Sequence, residues 1–236
     1  MCGRYTQSHS GEAIAAAFEL ETVPLLTPRY NIAPSQSVSV ITATESGRQH
    51  GWMRWGLIPS WAKDPAIGNR LINARAETAP EKPSFRAAFR RRRCLIVADG
   101  FYEWHRSAAS KTKQPYYFQQ RDRLPFAFAG LWEQWLHQDN TITSCTLLTT
   151  TPNDLLAKVH NRMPVILAAA SYDRWLDPQE QQVEALQALL TPYPATDMQG
   201  FAVGKQVNKP SHDSPNCIEP IHPSTDAETS DIRQLS

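Results

Sequence analysis

The chain has 236 residues, of which 41% are hydrophobic and 20% charged, enough for one sizeable core. Its 24 basic and 23 acidic side chains nearly cancel, so net charge indicates no anionic partner and any nucleic-acid surface must be a local patch. Polar residues follow Met1 and no apolar run approaches the ~18 residues of a membrane span. These features predict a cytoplasmic protein with no membrane partner.

Hydrophobic spacing predicts short β-strands with a few helices between them. Ser10 can cap a segment in which Ile14 and Phe18 are four residues apart, which predicts a helix over 10–20. Alternating β-branched and aromatic residues then predict strands at 37–43, 94–98, 115–120, 126–132 and 142–150. Further on we expect a short helix at 153–160 behind an Asn153 cap, a strand at 163–167, a longer helix at 177–190 with Pro178 near its start, and a late strand at 201–207.

The order of these elements predicts the fold class. Strands that come in runs, without strict β-α alternation, indicate an α+β single domain. We expect a largely antiparallel, barrel-like β-sheet core with peripheral helices, formed by residues 2–221, and a polar C-terminal tail at 222–236 that frays. The apolar surroundings of Trp52, Trp132 and Trp135 predict that these side chains lie in the core.

Standard site signatures are missing from the sequence. The four cysteines form no C-x-x-C pair and have no zinc or disulfide spacing, so reduced thiols are expected at Cys2, Cys94, Cys145 and Cys217. There is no P-loop, G-x-G-x-x-G, H-E-x-x-H or G-x-S-x-G motif, which disfavours nucleotide-dependent, zinc-protease and α/β-hydrolase functions. No metal or organic cofactor is implied.

Several short patches are too polar or too aromatic for their surroundings. They include MCGRY, LINARAET, ADGFYEW and VHNRMPVIL, and with RYNIAPSQSV, RWGLIPSW, LTTTPN and VNKPSHDSPNCIEPI they occur in the order and rough spacing of the SRAP family. The chain resembles this family, once labelled SOS-response-associated peptidases, from about Cys2 to Ile221. The family contains proteins that crosslink to abasic sites in single-stranded DNA. The resemblance therefore implies that the partner is single-stranded DNA containing abasic sites and that the protein acts on DNA damage with lyase-like chemistry. We expect a monomer.

The resemblance also implies roles for individual residues. Cys2 resembles the family's nucleophile, Asn73 its abasic-site-sensing asparagine, Glu103 its catalytic carboxylate and His160 its catalytic histidine. DNA contacts are expected at Arg4, Asn31, Pro34, Arg75 and Thr149. Trp61, close to Pro59, is predicted to stack on an exposed base. The stretch AKDPAIGNRLI, between Trp61 and Asn73, departs from the family's pattern of a DNA wedge.

The chemistry of Cys2 supports this function independently. If Met1 is removed, Cys2 carries an α-amine and a thiol on adjacent carbons, and an amine attacks the aldehyde of an opened abasic sugar to form a Schiff base. An α-amine has a pKa of about 7.7 to 8.0, against about 10.4 for lysine, so far more of it is neutral at pH 7. The thiol can then close a five-membered thiazolidine ring.

Alternatives remain open at the level of sequence. A peptidase or autoprotease with an N-terminal cysteine would act on a peptide and need an oxyanion hole, whereas a non-covalent reader of single-stranded or modified DNA would not need Cys2. Taken singly, Glu103 could be an ordinary ion-paired carboxylate, His160 a helix-end histidine and Asn73 a turn residue. The run Arg90 to Arg93 is typical of a solvated face, with phosphate contact as the second reading.

Overall fold

The computed structural model describes residues 2–106, 112–137 and 140–221, and the backbone of the short strand 234–235. Its strands are β1 (Tyr5–Gln7), β2 (Arg29–Ile32), β3 (Ser37–Thr44), β4 (Gly47–Trp55), β5 (Asn73–Arg75), β6 (Arg93–Ala98), β7 (Gly100–His105), β8 (Gln114–Gln120), β9 (Phe126–His137), β10 (Asn140–Thr150), β11 (Met163–Pro164), β12 (Ile166–Leu167), β13 (Met198–Ala202) and β14 (Gln234–Leu235). The α-helices are α1 (Gly11–Phe18), α2 (Arg86–Arg91), α3 (Asp154–Ala157), α4 (Tyr172–Leu176) and α5 (Val183–Gln187). Short 3₁₀ helices occur at Pro65–Arg70, Ala169–Ser171, Ala195–Asp197, Lys205–Asn208 and Pro215–Ile218.

Five strands close into a barrel in the order β10-β4-β3-β6-β9, and β9 pairs with β10 to complete it. All of these pairs are antiparallel except β4–β10, which is parallel. A second sheet has the order β14-β13-β8-β7-β1-β2. The predicted α+β class, with a largely antiparallel, barrel-like core in a single domain, is confirmed.

Strand β6 illustrates how period-two alternation builds the core. Cys94, Ile96 and Ala98 belong to the cluster shared by the barrel interior and the second sheet. Leu95 and Val97, which point to the opposite face, belong to the cluster under α1, α2 and α4. Both faces of this strand are therefore buried, which explains its continuous apolar sequence.

Most predicted elements are present, with two corrections. Helix α1 begins as expected, because the Ser10 hydroxyl accepts the Ala13 N–H at 3.3 Å. The long helix predicted at 177–190 is wrong, since only Val183–Gln187 is α-helical there. The guanidinium of Arg93 binds the carbonyls of Asp177 and Glu180, and the Glu180 N–H donates to the Asp177 carbonyl at 3.2 Å, so the segment before α5 forms a turn.

The late strand lies earlier in the chain than the predicted residues 201–207. It runs over Met198–Ala202, and the predicted residues 205–207 belong to a 3₁₀ helix. The Val207 carbonyl accepts hydrogen bonds from Arg4 at 2.7 Å and from Asn31 at 3.1 Å, so this segment is bound to side chains rather than to a strand.

The three tryptophans predicted to lie in the core differ in how deeply they are buried. Trp135 is buried and Trp132 partly buried, but the prediction that Trp52 is a core residue is wrong, because it is 50% exposed. Met53 and Trp55 of the same strand point inward, so Trp52 points outward by alternation.

Two predictions concern the chain's environment and its terminus. The predicted fraying tail lies mostly outside the described residues, apart from 234–235, whose backbone pairs with Gly200 and Phe201. Among the described helices, none combines the length and the apolar character needed to cross a lipid bilayer.

Candidate active site

Cys2 lies in the interior, three residues before the start of β1. It belongs to the core cluster that also contains Leu155 and Leu156 of α3 and Leu147 of β10. Its Sγ lies 3.7 Å from the carbonyl oxygen of Arg4. Burial, followed by the nearby charge of Glu103, raises the pKa of this thiol well above its usual range, so the thiol keeps its proton at neutral pH.

Asn73 is brought to Cys2 by β5, which runs parallel to β10 with Asn73 opposite Leu147. Its side-chain N–H donates to the Cys2 carbonyl at 2.7 Å. A carbonyl can only accept, so this contact fixes the orientation of the amide and directs Oδ1 the other way. Within the described part of the chain, the buried Oδ1 has no hydrogen-bond partner. An acceptor beside Cys2 is therefore available to a bound group.

Glu103 lies on β7, opposite Tyr116 of β8, and is only 3% exposed. Burial raises its pKa to about 7, against the opposing effects of the positive amino terminus, a hydrogen bond from the Trp104 N–H and the charge of Lys113. A carboxyl group with this pKa is divided between its two protonation states at neutral pH. It can therefore both accept and release a proton there.

His160 follows α3, where its backbone N–H donates to the Leu156 carbonyl at 2.8 Å. Its Nδ1 lies 3.1 Å from both the backbone N and the backbone O of Arg162. The neutral ring can accept the Arg162 N–H, and the protonated ring can donate to the carbonyl. Burial, and then the positive amino terminus, lower the pKa of His160, so the neutral ring dominates at pH 7.

The charge of Glu103 acts on Cys2, and the charge of Lys113 acts on both Glu103 and His160. The tertiary structure thus gathers these three predicted site residues around the start of the chain, and Asn73 joins them through its contact with Cys2. These residues come from four separate parts of the sequence. Their roles in a reaction stay predictions.

Two residues of this neighbourhood were missed by the sequence reasoning. Arg162 donates to both carboxylate oxygens of Glu77, each at 2.8 Å, and also to the carbonyl and hydroxyl of Thr149, at 2.5 and 3.4 Å. The pair ties the turn that carries His160 to the segment that follows Asn73. Glu77 lies in the motif LINARAET and Arg162 in the motif VHNRMPVIL, so membership of these motifs could have identified both residues from the sequence.

Arg4 and Asn31, both predicted DNA contacts, make extensive contacts within the protein. Arg4 donates to the Asn31 side-chain oxygen at 2.6 Å, and its guanidinium lies 5.8 Å from the centre of the Trp104 ring. Asn31 is fully buried, and its N–H groups bind the carbonyls of Val207, Lys209 and His212. Both side chains therefore hold residues 207–212 against the second sheet, and direct DNA contact stays a prediction.

The other predicted DNA contacts differ in exposure. Trp61 is 58% exposed, beside a cavity of about 360 Å³ that Lys63 and Arg70 also line. Arg75 is exposed on β5, and Pro34 is half-buried in the turn between β2 and β3. Thr149 is fully buried, with its hydroxyl 3.4 Å from the Ala74 carbonyl. Trp61 and Arg75 are thus the members of this set that present most surface to a ligand.

Asp99 anchors β1, the strand that follows Cys2. Its carboxylate accepts hydrogen bonds from the Thr6 hydroxyl, from the N–H and hydroxyl of Ser8, and from His9 Nδ1 at 3.0 Å. Burial opposes ionisation, but these hydrogen bonds outweigh it and lower the pKa of Asp99. Since β1 is only three residues long, this network supplies much of what holds it in place.

The run Arg90 to Arg93 divides into different roles. Arg90 and Arg91 are exposed on α2, which agrees with a solvated face. Arg92 pairs with Glu133 at 2.6 Å. Arg93 is buried, and its guanidinium binds five backbone carbonyls, those of Phe89, Arg90, Trp175, Asp177 and Glu180. Burial lowers its pKa to about 10, and its role is to bind these carbonyls rather than phosphate.

The four cysteines are buried free thiols, as the sequence predicts. Within the described ranges, no group of three His, Cys, Asp or Glu side chains is arranged to hold a metal ion.

Fold and site together define a barrel protein whose candidate centre is built around its own second residue. The family described as SOS response associated peptidase (SRAP) matches residues 1–210, and the chain belongs to that family. The resemblance drawn from the sequence is therefore confirmed.

Individual relatives agree over most of the chain. Abasic site processing protein YoqW of Bacillus subtilis (strain 168) is 45% identical over 223 residues, covering 93% of this chain and 99% of that protein. Abasic site processing protein HMCES of Pongo abelii is 30% identical, covering 82% of this chain and 65% of that protein. A crystal structure of a Bacteroides thetaiotaomicron protein is similar with a TM-score of 0.82 at 26% identity, covering 92% of this chain and 99% of the other.

Proposed function

We propose that this protein captures abasic sites in single-stranded DNA as a covalent adduct on Cys2, after removal of Met1. Relatives named abasic site processing proteins support the substrate. The observation that carries the chemistry is that Glu103, with a pKa of about 7, lies near enough to Cys2 for its charge to act on the Cys2 thiol. A proton acceptor is then available where an attacking amine has to lose its proton.

The first step joins the α-amine of Cys2 to the sugar. The neutral amine attacks the carbonyl carbon of the ring-opened abasic sugar, and a C–N bond forms as the carbonyl oxygen takes up a proton. Both nitrogen protons end on this oxygen: Glu103 passes the first to the carbonyl oxygen, which becomes a hydroxyl, and then passes the second to that hydroxyl, which leaves as water. An imine remains, and Glu103 is again a carboxylate.

The second step uses the neighbouring thiol. Sulfur adds to the imine carbon, the thiol proton moves to nitrogen, and a five-membered thiazolidine forms with no atom gained or lost. Because both groups belong to one residue, the closure is intramolecular and has a high effective concentration. The raised pKa of Cys2 suits this order, since a protonated thiol does not compete with the amine for the aldehyde.

Asn73 and His160 act on the substrate in this proposal. The buried Oδ1 of Asn73 accepts a hydrogen bond from a hydroxyl of the opened sugar. His160, neutral at pH 7 because its pKa is lowered, takes the proton of the sugar's anomeric hydroxyl as the ring opens and gives it to the ring oxygen, which becomes a hydroxyl. Arg75 and Trp61, both exposed, contact a phosphate and an unpaired base of the flanking strand.

The peptidase alternative has less support in the same geometry. A cysteine peptidase attacks with a thiolate, and such sites lower the pKa of the cysteine by means of nearby positive charge. Here burial and Glu103 act in the opposite direction. The non-covalent reader is separated from the proposal by experiment, because it does not need Cys2.

The test mixes the full chain with single-stranded DNA that carries one abasic site, and with matched intact single-stranded and duplex DNA. Only the abasic single strand should give a heat-stable adduct, because an unpaired strand reaches a recessed amine at lower cost. Cys2→Ser keeps the amine and should yield an imine that borohydride traps, but no stable adduct. Cys94→Ser, which changes another buried thiol, is the matched control and should keep the adduct.

Two results would contradict the proposal. One is an active protein that retains Met1 by intact-mass measurement, because a blocked amine cannot form an imine. The other is equal binding of intact and abasic single strands with no adduct, which would favour a non-covalent reader.

A further inference from the structure

A second cavity, of about 630 Å³, lies at the opposite end of β1 from Cys2. Cys2 precedes β1, while Ser8 and His9, which line the cavity, follow it. Ser8 is six positions beyond Cys2, a chain length of up to about 20 Å when extended. The cavity is on the face of the second sheet that points away from the barrel, where Tyr117 and Phe201 belong to a separate hydrophobic cluster. It is therefore distinct from the candidate active site.

The floor of this cavity is a regular patch of four side chains on β8 and β13. Tyr117 is opposite Phe201 and Gln119 is opposite Gln199, so all four project from the same face. The rings of Tyr117 and Phe201 have centroids 5.7 Å apart. The Tyr117 hydroxyl is bound to Thr6, but neither glutamine amide bonds to another described residue. An aromatic pair thus lies beside two carboxamides with free donors and acceptors.

Charged groups stand around this floor. Arg123 lies on one side, exposed, in the turn after β8, and forms no ion pair with any residue that the structure describes. His9 lies beside it, bound to Asp99. The other wall is formed by Pro215, Ile218 and Pro220, with the exposed carboxylate of Glu219. The cavity therefore offers an available guanidinium, an available carboxylate and an apolar floor.

We propose that this cavity binds one unpaired nucleotide. Its base stacks on Phe201, the carboxamides of Gln119 and Gln199 hydrogen-bond the base edge, and Arg123 holds the phosphate. A carboxamide offers a donor and an acceptor together, as a base edge requires, and aromatic stacking on a base is sequence-tolerant. A guanidinium matches the geometry of a phosphate. The volume falls within the usual range for small-molecule sites, about 300 to 1,000 Å³.

The site is independent of the covalent chemistry proposed for Cys2, which needs only the abasic sugar. The experiment titrates the full chain with deoxynucleoside monophosphates and follows binding by ligand-detected NMR and calorimetry. The wild type should bind saturably, and Phe201→Leu should weaken binding at least about fivefold through loss of stacking. Gln199→Leu should also weaken it. Gln134→Leu, an exposed glutamine on β9 of the barrel, is the matched control and should bind as the wild type does.

Further measurements test the phosphate contact and distinguish a free nucleotide from a nucleotide within a strand. Arg123→Ala should weaken binding of a nucleotide but not of the corresponding nucleoside, and because Arg123 is exposed this variant should fold normally. Phe201→Leu should either weaken the affinity for intact single-stranded oligonucleotides, which assigns the site to a nucleotide within a strand, or leave it unchanged, which assigns it to a free nucleotide. Cys2→Ser should bind nucleotides normally, so failure of the covalent proposal would not affect this result.

The inference would be overturned if the wild type showed no saturable binding at millimolar nucleotide. Equal nucleotide binding by the wild type, Phe201→Leu and Arg123→Ala would also overturn it, because the nucleotide would then be held elsewhere.

Discussion

The pH dependence of adduct formation should follow the ionisation of Glu103. Burial raises the pKa of this carboxyl from an ordinary 4.5 to about 7. That difference corresponds to about 3 kcal/mol in favour of the protonated form. In the proposed reaction only the carboxylate can take the proton of the attacking amine, so the rate should fall as the pH drops below about 7.

Replacing the carboxyl by an amide removes this proton acceptor. Glu103→Gln should slow adduct formation by about 100-fold, and the remaining rate should follow the α-amine, whose pKa is about 7.7 to 8.0. Because the wild type also needs a neutral amine, both proteins should lose rate below about pH 8, but only the wild type should show the further, steeper fall below about pH 7. Glu81→Gln, which changes an exposed carboxyl, should keep both the rate and the pH profile of the wild type.

Glu103→Gln should also change how the free energy of unfolding depends on pH, in a direction set by the raised pKa of Glu103. Because the folded state holds the proton of Glu103 more tightly than the unfolded chain, this group lowers stability as the pH rises from about 4.5 to about 7. Glu103→Gln should remove that slope and should fold at least as stably as the wild type at pH 8. Loss of rate without loss of stability would separate chemistry from folding.

The assay measures adduct on a denaturing gel against time, over a pH series from about 5 to 9. Thermal unfolding at the same pH values gives the stability comparison. A Glu103→Gln protein with the wild-type rate, and with the wild-type steepness of the pH profile below about pH 7, would refute the assignment of proton transfer to this residue.

Three further substitutions test other parts of the structure. Asn73→Leu should slow adduct formation about tenfold or more, measured on the same gels, because the Cys2 carbonyl loses its 2.7 Å donor and the substrate loses an acceptor. Arg93→Leu should lower the free energy of unfolding in urea by more than about 3 kcal/mol, since five carbonyls lose their donor, whereas exposed Arg91→Leu should change it by less than about 0.5 kcal/mol. The hydrogen bond to Asp99 is the main reason that the pKa of His9 is raised, so its contribution is complete below the unfolded pKa and is lost as the pH rises through the folded value. His9→Gln should therefore lower the melting temperature more at pH 6 than at pH 9, and an equal loss at both would contradict the ion pair.

Local sequence determined the elements whose signals are local. The Ser10 cap and the spacing of Ile14 and Phe18 were sufficient to predict α1. Alternation was sufficient to locate four of the five barrel strands, since a buried strand repeats every two residues whatever it pairs with, but β4 (Gly47–Trp55) was not predicted. The motifs around Cys2, Asn73, Glu103 and His160 were sufficient to recognise the family, because a rare combination in a fixed order is specific even when each part is weak.

Long-range contacts decided the features that the sequence could not. The turn at 177–182 depends on Arg93, which is more than 80 residues away, and the segment at 207–212 depends on Arg4 and Asn31. No local propensity contains these partners. The outward direction of Trp52 required the closed barrel, because alternation assigns residues to two faces without saying which face is buried.

The candidate site depends on tertiary structure in the same way. The sequence supplied an N-terminal cysteine, a carboxylate and a histidine with ordinary pKa values. Packing between the barrel, α3 and the second sheet buried Cys2 and Glu103 and raised the pKa of each, and it lowered the pKa of His160. Desolvation depends on what surrounds a group in three dimensions, so only the fold could set these protonation states.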